Sequence, residues 1–201
     1  MLKLYGTSQS RSGRCLWALE EVGAKYEHLP IAVVQSREPE NLKRNPNGHI
    51  PVLEDDGHYI WESMAINLYL AEKYGKAPLW PSTPEGRAGA NQWSFWAMTE
   101  VEPSLVTILA NRLFLPPEQR NENAVAQAIE TLKKPLAAIE THLTGREFLV
   151  GKDFTIADLN AAAVLSIGTL AGLDYGATPK MKAWLEKCAS RPANQKASQA
   201  K

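Results

Sequence analysis

Every strand-like stretch of this 201-residue chain lies before residue 62, so any sheet must be assembled from the first third alone. Leu2, Leu4 and Tyr5 make a short strand that stops at Gly6-Thr7-Ser8. Cys15, Leu16, Leu19 and Val22 then fall at helical spacing, and Gly23 suits the left-handed position past a helix end. A second apolar stretch covers 26–34, followed by the polar run QSREPENLKRNPNG, with room for a short helix or a long loop. Pro51 to Glu54 reads as a strand, Asp55-Asp56-Gly57 as a tight turn and His58 to Trp61 as the returning strand. A helix opening at Glu62-Ser63 reaches Tyr74, with Gly75 as its stop. The order is α/β, and the hairpin excludes a purely parallel sheet.

From Lys76 the pattern changes. KAPLWPSTPEG carries three prolines and reads as a linker, which divides the chain into residues 1–76, a linker at 77–86 and an all-helical part at 87–201. Trp93, Trp96, Ala97, Glu100, Val101, Leu105 and Ile108 keep helical spacing, with Pro103 expected to kink the element or start its second half. Val125, Ile129, Leu132, Leu136, Ile139 and Leu143 form another stripe, in which Pro135 is an internal irregularity. Thr155 caps a third helix with Asp158 three positions on, and Thr178-Pro179 starts a fourth that stops at Arg191-Pro192. The tail from Ala193 has nothing to bury and is expected to be disordered.

Lys plus Arg and Asp plus Glu number 22 each, which removes the broad basic footprint of a nucleic-acid binder. No apolar run reaches membrane-spanning length and no signal-like segment opens the chain, so a soluble, cytoplasmic protein is expected. Cys15 and Cys188 are the only cysteines, without CxxC spacing or a Cys/His cluster, so neither a disulfide framework nor a metal site is expected. One proline asks for explanation. Pro51 has no N–H for a sheet ladder, so it belongs at a strand's first residue or edge, or where backbone is held open for another use.

Four motifs in order, SRSGRCLWALEEVGAKYE, NPNGHIPVLEDDG, WESMAINLYLAEKYG and FLVGKDFTIADL, resemble those of the cytosolic glutathione S-transferases, bacterial and serine-type members in particular. The resemblance spans nearly the whole chain. It implies a thioredoxin-like N-terminal domain (β-α-β-α-β-β-α) with a cis Pro51, followed by an all-helical C-terminal domain. It also implies that glutathione is a co-substrate, that the protein is a homodimer, and that the reaction is conjugation to small hydrophobic electrophiles, as in detoxification. By this resemblance Ile50 and Pro51 hold the cysteinyl backbone of glutathione in a strand-like pairing. The N-terminus of the helix at Ser63 grips the γ-glutamyl carboxylate while Glu62 meets the ammonium group. A helix cap and a first-turn acid are the plain alternative for these two residues. His49 stands where relatives reach the glycine carboxylate, and taken alone it is a loop histidine.

The family places its reactive group after the first strand. Matching the Ser-x-x-x-Arg pattern, with Arg14 as the arginine, selects Ser10 as a hydrogen-bond donor to the glutathione thiolate. Ser8, Gln9 and Ser12 remain open as donors, and Ser12 is also a candidate cap for the first helix. Cys15 lies within the helix stripe and reads as a small buried residue. The second substrate is expected to meet the helical half, near aromatics such as Trp93 and Trp96. Thr155 and Asp158 are read as structural. Two other readings fit the same residues: glutathione-dependent reduction of peroxides or disulfides, and a non-catalytic glutathione transferase-like binding module.

Overall fold

A computed structural model describes residues 1–200, which divide into two compact units, Met1–Ser82 with the segment from Ser190 onward, and Thr83–Ala189. In the first unit, β1 (Leu2–Tyr5), β2 (Tyr26–Leu29), β3 (Val52–Asp55) and β4 (His58–Trp61) form one sheet in the order β2-β1-β3-β4. β1 runs parallel to β2 and antiparallel to β3, and β3 pairs antiparallel with β4. The sheet is therefore mixed, as the hairpin requires. Alternation sets its register: Leu2 and Leu4 are buried, while Lys3 stands opposite Glu54 and bonds it at 3.1 Å. Tyr5 Oη donates to the other Glu54 oxygen at 2.6 Å, and the Arg44 guanidinium lies 4.4 Å from the Tyr5 ring centre.

Three helices belong to this order: α1 (Ser12–Val22), α2 (Pro39–Arg44) and α3 (Ser63–Lys73). α1 and α3 pack on each other, burying Leu16 and Leu19 from one and Ile66 and Leu70 from the other. Each such aliphatic side chain contributes about 1.5–3 kcal/mol by leaving water. Gly23 ends α1 at φ 64, and the polar run before Pro51 folds as the short α2. The second apolar stretch supplies only β2; Val33 and Val34 lie beyond it in a single tight turn and are exposed.

Asp55 anchors the end of β3 to α3. Its Oδ2 accepts from Tyr69 Oη, Lys73 Nζ and Tyr74 Oη, each at 2.6 Å. Burial alone raises such a carboxyl, but the three donors outweigh it and hold the group down at about 2.

The second unit is helical: α4 (Pro84–Trp96), α5 (Glu102–Leu109), α6 (Glu122–His142), α7 (Ile156–Leu170) and α8 (Pro179–Ala189). Wider π-type turns at Ala97–Val101 and Ala110–Phe114 flank α5. Pro103 accordingly sits in the first turn of α5, where a missing N–H costs nothing, and starts the second half of the long element. α6 runs through Pro135, whose ring is buried. The capping box at α7 is complete. Asp158, fully buried, accepts from Leu149 N, Thr155 N, Thr155 Oγ1 and Trp184 Nε1 at 2.8–3.1 Å, so one carboxylate joins the loop before α7 to α8.

The tail differs from expectation. Pro192–Ser198 is a helix, α9, packed on α1, and the chain from Ser190 belongs with the first unit rather than with the helical half. Its anchors are not an apolar stripe. Arg191 donates to both Glu21 oxygens at 2.6 and 2.9 Å, Lys196 pairs with Glu20 at 2.6 Å, and only the small Ala197 is buried. Among the described residues, no helix is long and apolar enough to cross a membrane.

Candidate functional site

Gly6 ends β1 with φ 137, a region open to glycine and closed to most other residues. Its N–H donates to Leu29 O at 3.0 Å, and its carbonyl accepts from His28 Nε2 at 2.8 Å, which makes Nε2 the protonated ring nitrogen. β2 thus clamps the peptide from which the serine-bearing turn departs. A methyl group on Gly6 would stand 2.1 Å from Ser12 Oγ and 3.2 Å from Ile50 Cβ, so this glycine is where the turn and the Pro51 loop meet.

The three serines of that turn are not equivalent. Ser12 is wholly buried and is the first residue of α1, so it does not occupy the cap position. Arg11 is in the cap position without a side-chain cap bond, and Ser10, just before it, supports the helix start: its Oγ accepts from Ser12 N at 3.1 Å and lies 2.7 Å from Thr7 O, and its side chain is only partly buried. Ser8 is also part-buried, and a methyl group on Gly13 would stand 2.5 Å from its carbonyl.

Ile50 and Pro51 are joined by a cis peptide bond. The NPNG segment before them is held by Asn45, whose Nδ2 donates to His49 O at 2.9 Å and whose Oδ1 accepts from Asn47 N at 3.0 Å. Gly48 at φ 64 turns the chain, and Ser36 Oγ bonds its carbonyl at 2.7 Å. Ile50 lies outside β3, and among the described residues its backbone N–H and C=O make no hydrogen bond. The His49 side chain is exposed beside it.

At the start of α3, Glu62 takes φ 70 and ψ 114. A non-glycine residue in this conformation costs on the order of 1–3 kcal/mol, and such outliers concentrate at binding sites. Glu62 is the residue in the cap position and lends no side-chain bond to the first turn, so the N–H groups of that turn face outward with the helix's partial positive charge. Ser63 is the first helical residue, not the cap, and is buried. Its Oγ accepts from Arg14 Nη1 at 3.5 Å, and its carbonyl accepts from Cys15 Sγ at 3.6 Å. Asn67, one turn on, donates to Arg14 O at 3.3 Å. Burial pushes the Cys15 thiol far up, with Arg14 a smaller opposing influence, so this sulfur is inert.

Ser10 bonds Ser12, Ser12 and Ile50 both lie close about Gly6, and Arg14, two residues beyond Ser12 in α1, bonds Ser63, so the first turn of α1 ties Ser10, the Ile50-Pro51 loop and Ser63 to one neighbourhood. His49 and Glu62 are exposed beside it. Sequence reasoning missed His28, Asn45 and Asn67; His28 and Asn67 act across 22 and 53 residues, and Asn45 acts within its own loop. The NPNG motif was the one available signal, for Asn45.

The Glutathione S-transferase N-terminal domain model matches residues 1–72 and the corresponding C-terminal domain model matches residues 104–192. Glutathione S-transferase 1 of Zea mays is 35% identical over 202 residues, covering 97% of this chain and 94% of that protein. Glutathione S-transferase GstB of Escherichia coli strain K12 is 30% identical over 202 residues, covering 98% and 97%. Among solved structures, the theta class glutathione S-transferase of Xanthomonas axonopodis pv. citri with glutathione bound superposes with a TM-score of 0.92 at 25% identity, covering 100% of this chain and 98% of that one. The fold is thus a thioredoxin-like unit joined to a helical one. The chain belongs to the glutathione S-transferase family.

Proposed function

We propose that this protein is a glutathione transferase whose first unit, residues 1–76 above all, binds glutathione and ionises its thiol for attack on small hydrophobic electrophiles. The observation that carries the reading is the convergence of the Ser10 turn, the open backbone at Ile50 and the uncapped start of α3. Ile50 offers an N–H and a C=O to the cysteinyl residue, with Pro51 fixing the bend, in the manner of strand addition. The N–H and hydroxyl of Ser63 receive the γ-glutamyl carboxylate, Glu62 meets its ammonium group, and exposed His49 reaches the glycine carboxylate.

Ser10 is the donor to sulfur. Its partial exposure supports it over buried Ser12, and its place ahead of α1 adds the helix's positive end to the same task. A thiol near pKa 8.5 is about 3% ionised at pH 7, and lowering that value by two units takes about 2.7 kcal/mol. One hydrogen bond to a charged acceptor contributes about 1.5–3 kcal/mol. The thiol proton passes to solvent, the thiolate sulfur forms a bond to the electrophilic carbon, and the leaving group departs with the pair from the broken bond.

Calorimetry with glutathione, followed by parallel assays with an aryl halide, a hydroperoxide and a mixed disulfide, tests this. Binding with turnover of the aryl halide is expected. Turnover of only the hydroperoxide or disulfide would move the same thiolate to reduction, and binding without any turnover would leave a binding module. The reading includes a cytoplasmic homodimer, with the exposed rings of Tyr59, Trp61 and Phe95 available for the contact; light scattering should return twice the chain mass.

A further inference from the structure

Ser10 Oγ carries one hydrogen and two lone pairs, yet three polar groups surround it: Thr7 O at 2.7 Å, Ser12 Oγ at 3.0 Å and Ser12 N at 3.1 Å. The Thr7 carbonyl can only accept, so the Ser10 hydrogen belongs on that shortest contact. The Ser12 N–H can only donate. The remaining contact must then use the Ser12 hydroxyl hydrogen, directed at Ser10 Oγ. In this arrangement Ser10 accepts twice and donates once, with every lone pair and hydrogen assigned.

The Thr7 carbonyl has a second partner, Ser10 N at 3.0 Å, and does not lose its last bond if the hydroxyl turns away. A partial turn of the Ser10 hydrogen away from Thr7 O therefore leaves that carbonyl bonded. Ser12 is not free to move: it is wholly buried, begins α1, and its hydroxyl lies against Gly6, where a methyl group would stand 2.1 Å away.

We propose that Ser12 is a positioning residue: its hydroxyl and amide hold Ser10 Oγ through both lone pairs, so that the Ser10 hydrogen, which turns together with those lone pairs about the Cβ–Oγ bond, shifts only part of the way from Thr7 O and is shared with the glutathione sulfur. A hydroxyl that accepts hydrogen bonds becomes a stronger donor, so Ser12 also sharpens the bond it does not make. The inference rests on Ser10 being the donor to the thiolate. It gives the buried second serine a task in ionisation rather than in binding.

The test is an ultraviolet titration of the thiolate of bound glutathione in wild type, Ser10→Ala, Ser12→Ala and the double variant, with glutathione affinity measured by calorimetry and folding checked by circular dichroism. Ser12→Ala is expected to raise the bound thiol's pKa by about half a unit, about a threefold loss of thiolate at fixed pH below it, with affinity unchanged. Ser12→Cys, which fills the space with a weak donor, carries the same expectation should the alanine variant fold poorly. In the Ser10→Ala background, Ser12→Ala should add no further shift. An unshifted pKa in the Ser12 variants, beside a raised one in Ser10→Ala, overturns the inference and leaves the function standing; so does a Ser12→Ala shift that persists in the double variant. A Ser10→Ala protein with an unshifted thiol overturns the reading of Ser10 itself, and the inference with it.

Discussion

Replacing Gly6 by alanine places a methyl group where the structure has least room for one. Two costs add. The φ of 137 is a conformation that an L residue adopts only with strain, on the order of 1–3 kcal/mol. The new carbon would also stand 2.1 Å from Ser12 Oγ, 3.1 Å from Ser12 Cβ and 3.2 Å from Ile50 Cβ. The nearest of these belongs to a wholly buried side chain in the first turn of α1, so that side chain or the backbone must shift; overpacking of this kind costs about 1–3 kcal/mol more. The sum, about 2–6 kcal/mol, is a large part of the 5–15 kcal/mol that holds a typical domain folded. Relief by displacement of Ile50 would also disturb the proposed glutathione backbone contact, so binding should fall with stability. Urea unfolding and glutathione calorimetry on Gly6→Ala measure both. A variant within about 1 kcal/mol of wild type that binds glutathione normally would refute the claim that Gly6 joins the serine turn to the Pro51 loop.

Three further outcomes follow from other parts of the structure. Asp158→Ala deprives Leu149 N, Thr155 N, Thr155 Oγ1 and Trp184 Nε1 of their acceptor in a buried place, and should cost about 3 kcal/mol or more in urea unfolding. Asp55 has a folded-state pKa of about 2, below its ordinary value, so its contribution is present above about pH 4 and lost as pH falls toward 2. The stability gap between wild type and Asp55→Asn should therefore be flat from pH 5 to 8 and close on acidification; a constant gap down to pH 2 would exclude the mechanism. Arg191→Ala removes the paired bonds to Glu21 and should lower amide protection in α9 with about 1 kcal/mol or less of global effect, a difference that shrinks with added salt.

What could be read from the sequence follows from how local each signal is. The hairpin was legible because Asp-Asp-Gly lies between two alternating runs, and the cap of α7 because Thr155 and Asp158 are three residues apart. α9 was not, because an ion pair from Arg191 to Glu21 spans 170 residues and leaves no periodic mark near the tail. The same holds at the site. Ile50, Pro51, Glu62 and Ser63 stood out through motif order, whereas the difference in burial between Ser10 and Ser12 depends on where the turn ends and α1 begins, a one-residue matter that spacing does not resolve. His28 and Asn67 act through backbone carbonyls at Gly6 and Arg14, contacts that only the assembled sheet and helices create.

The central claim is that glutathione lies along Ile50 with its γ-glutamyl carboxylate at the start of α3, and a crystal soaked with glutathione tests it most directly. The account predicts hydrogen bonds from the cysteinyl residue to the Ile50 backbone, the carboxylate within about 3 Å of Ser63 N and Oγ, and the sulfur within reach of Ser10 Oγ. Glutathione bound elsewhere, or sulfur lying against another side chain with Ser10 still turned to Thr7, would contradict it.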